Sequence, residues 1–176
     1  MILSHDFQIS IEEYVQRGKE NEFPVLDQCP NCHCTGGGNV YRHGFYWRNG
    51  ITEDATLRIP ICRLKCLLCE MSFSILPDFL LPYFQYTLHT ILKRIREVLE
   101  NKKGNGPRQL CTFHVRRFLK GVPWIHSYFV DEEKRKNTME KGKKEPLNYL
   151  KRIMHIGESS FLRRSWNHLS TYFMAN

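Results

Sequence analysis

Long hydrophobic runs are missing from this chain. The most apolar stretch free of Asp, Glu, Lys and Arg, Phe79 to Leu92, is 14 residues long and contains Pro82, Gln85 and His89. A membrane span needs roughly 20 apolar residues. Met1 to Val15 carry Asp6, Glu12 and Glu13 and no basic n-region, so they do not read as an export signal. A cytoplasmic location with no membrane partner is the expectation. Enzyme motifs are missing too. There is no G-x-x-x-x-G-K-S/T loop, no G-x-S-x-G elbow and no H-E-x-x-H pair. Gly36-Gly37-Gly38 precedes a strand-like run and not a helix, so it reads as a turn and not as a phosphate loop. Cys111 with His114 or His126 has the residue types of a nucleophile and base, but no supporting context. No enzymatic activity is expected.

Acidic residues are scarce in one half. Residues 91–176 hold 19 basic and 8 acidic side chains, a net of +11, whereas residues 1–90 hold 7 and 10, a net of −3. A basic half points to a polyanion partner, either nucleic acid or anionic lipid. Hydrophobic residues at 41% with 11 Gly and 8 Pro describe a globular chain, which excludes both full disorder and a collagen-like repeat.

Cysteine, by contrast, is plentiful. Six of the seven fall within residues 28–77. In a reducing compartment they read as metal ligands and not as disulfides. Cys29-Pro30-Asn31-Cys32 and Cys66-Leu67-Leu68-Cys69 are two C-x2-C pairs. Each pair can fold into a tight knuckle whose backbone N–H groups point at the thiolates. Two knuckles supply four thiolates in a tetrahedron, which suits one structural zinc ion and leaves no open coordination position. Four thiolates also suit rubredoxin-like iron, a minor alternative. That reading expects an acidic electron carrier with glycine after each knuckle, where this chain has His33 and Glu70. Cys34 and Cys62 flank the pairs and read as small apolar filling, with a second metal or a Cys34–Cys62 bond as the other readings. His33 is expected to turn outward, His43 to be a strand residue, and Cys111 to pack in a helix.

The pattern is α+β, with a small four-cysteine zinc ribbon of short antiparallel strands followed by a basic helical region. Residues 1–27 read as an N-terminal leader in which Ile9, Ile11, Tyr14 and Val15 line a short helix. Residues 28–77 hold the ribbon. Its strands are "NVYRHGFYWRNG", "ATLRIPIC" and "MSFSIL", with a turn expected at Asn49-Gly50 and Pro60 expected at an edge or bulge. Residues 78–130 read as helical and helix-turn-helix-like. Phe84, Leu88, Ile91, Leu92, Ile95, Val98 and Leu99 form one helical face, stopped by Gly104, Gly106 and Pro107. A second helix is predicted over Thr112 to Lys120, capped by Thr112 and ended by Gly121. A third, from Pro123, places Trp124, Ile125, Tyr128 and Phe129 on one side. Residues 131–145 form a charged linker. The C-terminal helices, within 146–176, are predicted from Pro146 to Ile156 and after Ser159 or Ser160. Leu162, Trp166, Leu169 and Phe173 lie on the last stripe.

"CPNC", "YRHGFYWR" and "RLKCLLCEMSFSILPDFLLPY" resemble the zinc ribbon of bacterial insertion-sequence transposases. They are closer still to short zinc-ribbon proteins associated with such mobile elements. The likeness covers about residues 28–90. It implies a DNA-binding or protein-docking module in a mobile-element setting, either an accessory protein or a transposase remnant. A complete transposase of this kind adds a ribonuclease-H-like domain with three catalytic carboxylates, for which residues 91–176 have no matching pattern. "RQLCTFHVRRFLKGV" resembles the turn and second helix of a helix-turn-helix. Val115 and Leu119 would then face the core, and His114, Arg116, Arg117 and Lys120 would face DNA. Lys141/Lys143/Lys144, Lys151/Arg152 and Arg163/Arg164 would add phosphate contacts. The alternative is a protein-docking adaptor for a transposase or regulator, which exposed Phe45, Tyr46 and Trp47 would favour.

Overall fold

A computed structural model of the chain describes residues 1–132, the backbone of 133–135, and residues 146–165 and 172–174. It divides into two compact units, Met1–Thr87 and Leu88–Asn176. The class is α+β. Among the described residues there are one four-stranded sheet and five α-helices. No helix among them is long and apolar enough to cross a membrane.

The first unit is built on the sheet, whose strands are β1 (Ile2–His5), β2 (Val40–Ile51), β3 (Thr56–Cys66) and β4 (Ser72–Pro77), in the order β1-β4-β3-β2. Strands β2, β3 and β4 form an antiparallel meander, and β1 adds to β4 in parallel. Residues 1–27 thus supply a strand as well as the expected helix, α1 (Ile11–Arg17). A four-residue strand such as β1 has too little alternation to be read from sequence. Helix α1 starts at Ser10, whose hydroxyl accepts from the Glu13 N–H at 3.1 Å, with Glu12 and Glu13 in the positive first turn.

The β2–β3 turn does not fall at Asn49-Gly50. Those residues are paired within the ladder, opposite Arg58 and Leu57. The chain reverses over Thr52–Ala55 instead. There the Thr52 hydroxyl accepts from the Asp54 and Ala55 N–H groups, at 3.3 and 3.0 Å. Gly50 is a packing residue. A Cβ there would collide with Ile59 Cδ1, and Ile59 is fully buried. Pro60 lies in a strand that is interior by order but has a local edge. β3 pairs with β4 only over Cys62 to Lys65, so Pro60 is bonded along one side alone. Helix α1 covers the open side. The fully buried Tyr14 donates its hydroxyl to the Pro60 carbonyl at 2.9 Å. Its ring meets Phe7 and Phe79 edge-on, with Phe23 beside it.

The second unit is helical: α2 (Leu88–Leu99), α3 (Arg108–Arg135), α4 (Pro146–Ile156) and α5 (Glu158–Ser165). Helix α2 is shorter than the expected Phe84–Lys103 span. Tyr86 and Thr87 are held by bridges to Ile51 and Leu80. At the other end Asn101 takes the left-handed conformation, with φ 58°, and the Lys102 N–H reaches the Glu97 carbonyl. Helix α3 replaces the two helices predicted on either side of Gly121. Thr112 is not its cap, because its hydroxyl donates to the Arg108 carbonyl one turn back. Pro123 lies inside it, which removes one hydrogen bond and costs about 3 kcal/mol in a helix interior. The helix continues because the buried residues Cys111, His114, Phe118, Ile125, Tyr128 and Phe129 stay in phase across Gly121 and Pro123. Each large apolar side chain in that stripe contributes about 1.5–3 kcal/mol, so together they outweigh the proline. Helix α4 has the predicted bounds, and α5 begins close to the predicted start but ends at Ser165, short of the expected stripe to Phe173. Tyr128, Phe129, Tyr149, Phe161 and Phe173 form an aromatic cluster between them and α3. Trp166, Leu169 and residues 136–145 lie outside the described residues.

Two stability predictions come from these contacts. Tyr14→Phe strips the Pro60 carbonyl of its buried donor. Denaturant unfolding should show a loss of about 1–2 kcal/mol with the first unit still folded. The second concerns His114, which is buried beside Arg94, with Nδ1 3.4 Å from Arg94 Nη1. Burial, then the Arg94 charge, lowers its pKa from 6.5 to about 4. Below pH 6.5 the unfolded chain therefore takes up a proton that the folded chain does not. His114 supports the fold fully above 6.5, and that support is lost as pH falls towards 4. His114→Gln should flatten this part of the pH dependence of thermal unfolding.

Candidate metal centre

The two C-x2-C pairs fold into loops of the same build. Cys66 ends β3, and its N–H donates to the Met71 carbonyl at 3.0 Å, which closes a tight turn around Cys69. In the first loop the Cys29 N–H donates to the Cys34 carbonyl at 3.0 Å. The residue after the second cysteine is left-handed in both: His33 and Glu70 each have φ 57°. Neither is the glycine that conformation favours. The Asn31 N–H lies 3.4 Å from Cys29 Sγ. Leu68 and Cys69 N–H groups serve Cys66 in the same way. The sheet brings the loops together. Val40 pairs with Cys66, and the Leu67 N–H donates to the Asn39 carbonyl at 2.9 Å.

Cys29, Cys32, Cys66 and Cys69 have sulfur atoms all within 4.8 Å of one another. Cys29 and Cys69 are 3.7 Å apart, and Cys32 and Cys66 are 3.8 Å apart. A tetrahedral site with metal–sulfur bonds of about 2.3 Å has edges of about 3.8 Å. The four thiols therefore have the spacing to hold one metal ion, as the sequence pattern predicts. The local electrostatics favour thiolates at three of them. Burial opposes ionisation of Cys29, but the Cys32 and Asn31 N–H groups hold its pKa below the usual thiol value. The Cys69 N–H does so for Cys66, and the Met71 N–H for Cys69. Cys32 accepts the Cys34 N–H, but the Cys34 thiol, burial and the thiols of Cys29 and Cys69 push it up.

A fifth thiol borders them. Cys34 packs partly buried against the core, as expected of apolar filling, and its Sγ also lies 3.6 Å from Cys66 Sγ, at the border of the centre. The sequence did carry a signal for it, the C-x-C spacing of Cys32 and Cys34. Cys62 is different. It is buried on β3 opposite Phe45 and Ile75, four residues before Cys66, which is roughly 13 Å along a strand. That separation rules out a Cys34–Cys62 bond here, and all seven cysteines are free. His33 is exposed, and His43 lies exposed at the β-bulge between Arg42 and Gly44. Cys111 is buried in α3, its thiol 3.9 Å from the Gly106 carbonyl.

The residues expected on DNA separate. Arg116 and Lys120 are exposed on α3, and Arg117 is half-buried with its guanidinium 5.2 Å over Phe113. His114 does not face outward. It shares the buried stripe with Cys111 and Phe118, one turn away on either side, and is 1% exposed. Leu119, expected in the core, is 41% exposed, and Val115 is half-buried. Lys151, Arg163 and Arg164 are exposed, while Arg152 is half-buried over Phe129 at 4.0 Å. Lys141, Lys143 and Lys144 lie outside the described residues. Of the aromatics expected on an adaptor surface, Trp47 is exposed, with Arg58 over its ring. Phe45 and Tyr46 are half-buried, Phe45 against Phe23.

Protein prepared without added metal should carry one ion per chain by elemental analysis. Cys66→Ser should lose that ion and the fold of the first unit together, because binding and folding are coupled at such sites. A metal-free, folded chain would contradict the assignment.

Residues 29–115 match the model of a family described as a domain of unknown function, DUF6431. Neither curated proteins nor solved structures provide a match. The chain is thus similar, over the segment from the first metal-site cysteine into α3, to a family without an assigned activity.

Proposed function

We propose that this is a zinc-binding protein that binds duplex DNA, with the metal bracing the first unit and the basic helical unit supplying the phosphate contacts. Four thiolates form a soft, closed donor set that suits zinc in a structural role. The observation that carries the DNA reading is one of charge. Residues 101–130 contain six Lys and Arg and no Asp or Glu. Arg108, Arg116 and Lys120 are exposed along α3 in that segment. Arg116 and Lys120 stand one turn apart on the exposed side, and the acids of α3, Asp131 to Glu133, come only in its last turns, so this stretch attracts a polyanion. The succession of α2, loop and α3 is compatible with a helix-turn-helix reading, with α3 as the helix on DNA. On the burial pattern its contacts are Arg116, Lys120 and the half-buried Arg117, without His114. The mobile-element setting, whether as accessory protein or transposase remnant, is proposed on the resemblance of residues 28–90 alone.

The docking alternative draws on a different surface. Leu67 and Leu68, at the tip of the second knuckle, are 59% and 67% exposed, and Trp47 is 46% exposed. The two readings separate by salt. With about six phosphate contacts, duplex binding should weaken roughly a thousandfold between 50 and 200 mM salt. Arg116→Ala with Lys120→Ala should weaken it further and reduce the salt slope by about two. Binding that ignores salt, or survives the double change intact, would favour the adaptor. The measurement is fluorescence anisotropy of a labelled duplex.

A further inference from the structure

Four thiols form the centre, and a fifth, Cys34, borders it beside Cys66. Cys32 Sγ lies 3.8 Å from Cys66 Sγ, and Cys34 Sγ lies 3.6 Å from the same atom. Both therefore stand at the edge length of a thiolate tetrahedron, about 3.8 Å, measured from one shared ligand. Cys34 is held there by its backbone, since its carbonyl accepts from the Cys29 N–H. Its neighbour Thr35 bridges to Gln28 across the base of the loop. Cys32 is the exposed member of the set, while Cys29 and Cys66 are fully buried and Cys34 is half-buried.

The second loop supplies an internal comparison. Its backbone repeats the first, and Met71 occupies the place of Cys34, five residues after the first cysteine, with its carbonyl accepting from Cys66. Met71 is 38% exposed. The loops thus agree in backbone and differ in having a thiol at this one position. Turning a cysteine between χ1 rotamers moves its sulfur by roughly 3 Å. A side-chain turn of that size is the movement such an exchange of Cys32 and Cys34 at one vertex asks of each thiol.

We propose that the metal site has one exchangeable vertex: Cys29, Cys66 and Cys69 hold the ion throughout, and Cys32 and Cys34 alternate as the fourth ligand. This rests on the metal reading above. Its consequence is that the site survives the loss of its most exposed ligand, because the reserve thiol is already in place. It also leaves one free thiol beside the ion at all times, an entry point for thiol reagents or for a thiolate that accepts the metal.

Cobalt(II) loaded into the full chain distinguishes four thiolates from three by the intensity of its charge-transfer and d–d bands. Cys34→Ser should match the unaltered chain. Cys32→Ser should keep the four-thiolate spectrum, with cobalt affinity within about tenfold. Cys32→Ser with Cys34→Ser should give the three-thiolate spectrum and bind at least about a hundredfold more weakly. Cys69→Ser has no reserve thiol and should behave like that double variant. Adding Met71→Cys to Cys69→Ser should restore the four-thiolate spectrum. A three-thiolate spectrum for Cys32→Ser, or its failure to fold while Cys34→Ser folds, overturns the exchange. A three-thiolate spectrum for Cys34→Ser alone also overturns it, by making Cys34 the resident ligand. An unaltered chain that gives no four-thiolate spectrum overturns the metal reading itself, and the exchange with it.

Discussion

The first unit depends on holding two short loops against each other at the end of its sheet. Four sulfur atoms within 4.8 Å are a poor arrangement for thiolates alone, since like charges at that distance repel. A divalent cation reverses the sign of the interaction. The backbone has already arranged for it, through N–H groups aimed at Cys29, Cys66 and Cys69. An ion held there would join residues 29–34, attached by a few loop hydrogen bonds, to the β3–β4 turn. The sheet and α1 bury a core of their own, and an ion at the four cysteines would add a staple between the loops.

Away from the metal the sheet is completed by local solutions to edge problems. Pro60 cannot donate, so the open side of β3 is covered by α1, and Tyr14 donates to the Pro60 carbonyl. The side of β4 away from β3 pairs with β1. The Arg48 guanidinium donates to the Leu81 and Phe84 carbonyls, which ties the segment after β4 to β2. Each is a polar group satisfied by a neighbour distant in sequence, as buried backbone requires.

In the second unit burial and charge divide the same helix. The stripe from Cys111 to Phe129 faces inward and carries α3 through a glycine and a proline. His114 belongs to it, beside Arg94, so one of the basic-looking residues is a neutral core group. Arg116 and Lys120 remain on the outer side. Arg94, which a tally of Lys and Arg does count, is buried with His114, so such a tally overstates the charge available to a partner.

Several features were legible from residue order alone because their physics is local. The C-x2-C pairs announce knuckles, since two cysteines three apart suffice to make one. Strand alternation in "ATLRIPIC" and "MSFSIL", and the boundaries of α4, follow from periodicity and from residues such as Pro146 and Gly157. What the tertiary structure alone decided is non-local. Asn49-Gly50 has the chemistry of a turn, but Gly50 is claimed by Ile59 across the ladder. Gly121 and Pro123 have the chemistry of a helix end, but a stripe in phase on both sides keeps α3 whole. Cys34 and Cys62 look alike beside their pairs. Only the pairing of Val40 with Cys66 and the closure of the first loop put one sulfur at the border of the metal centre and leave the other in the core. Propensity and spacing act over a few residues, whereas burial and ligand geometry depend on which distant segment arrives opposite.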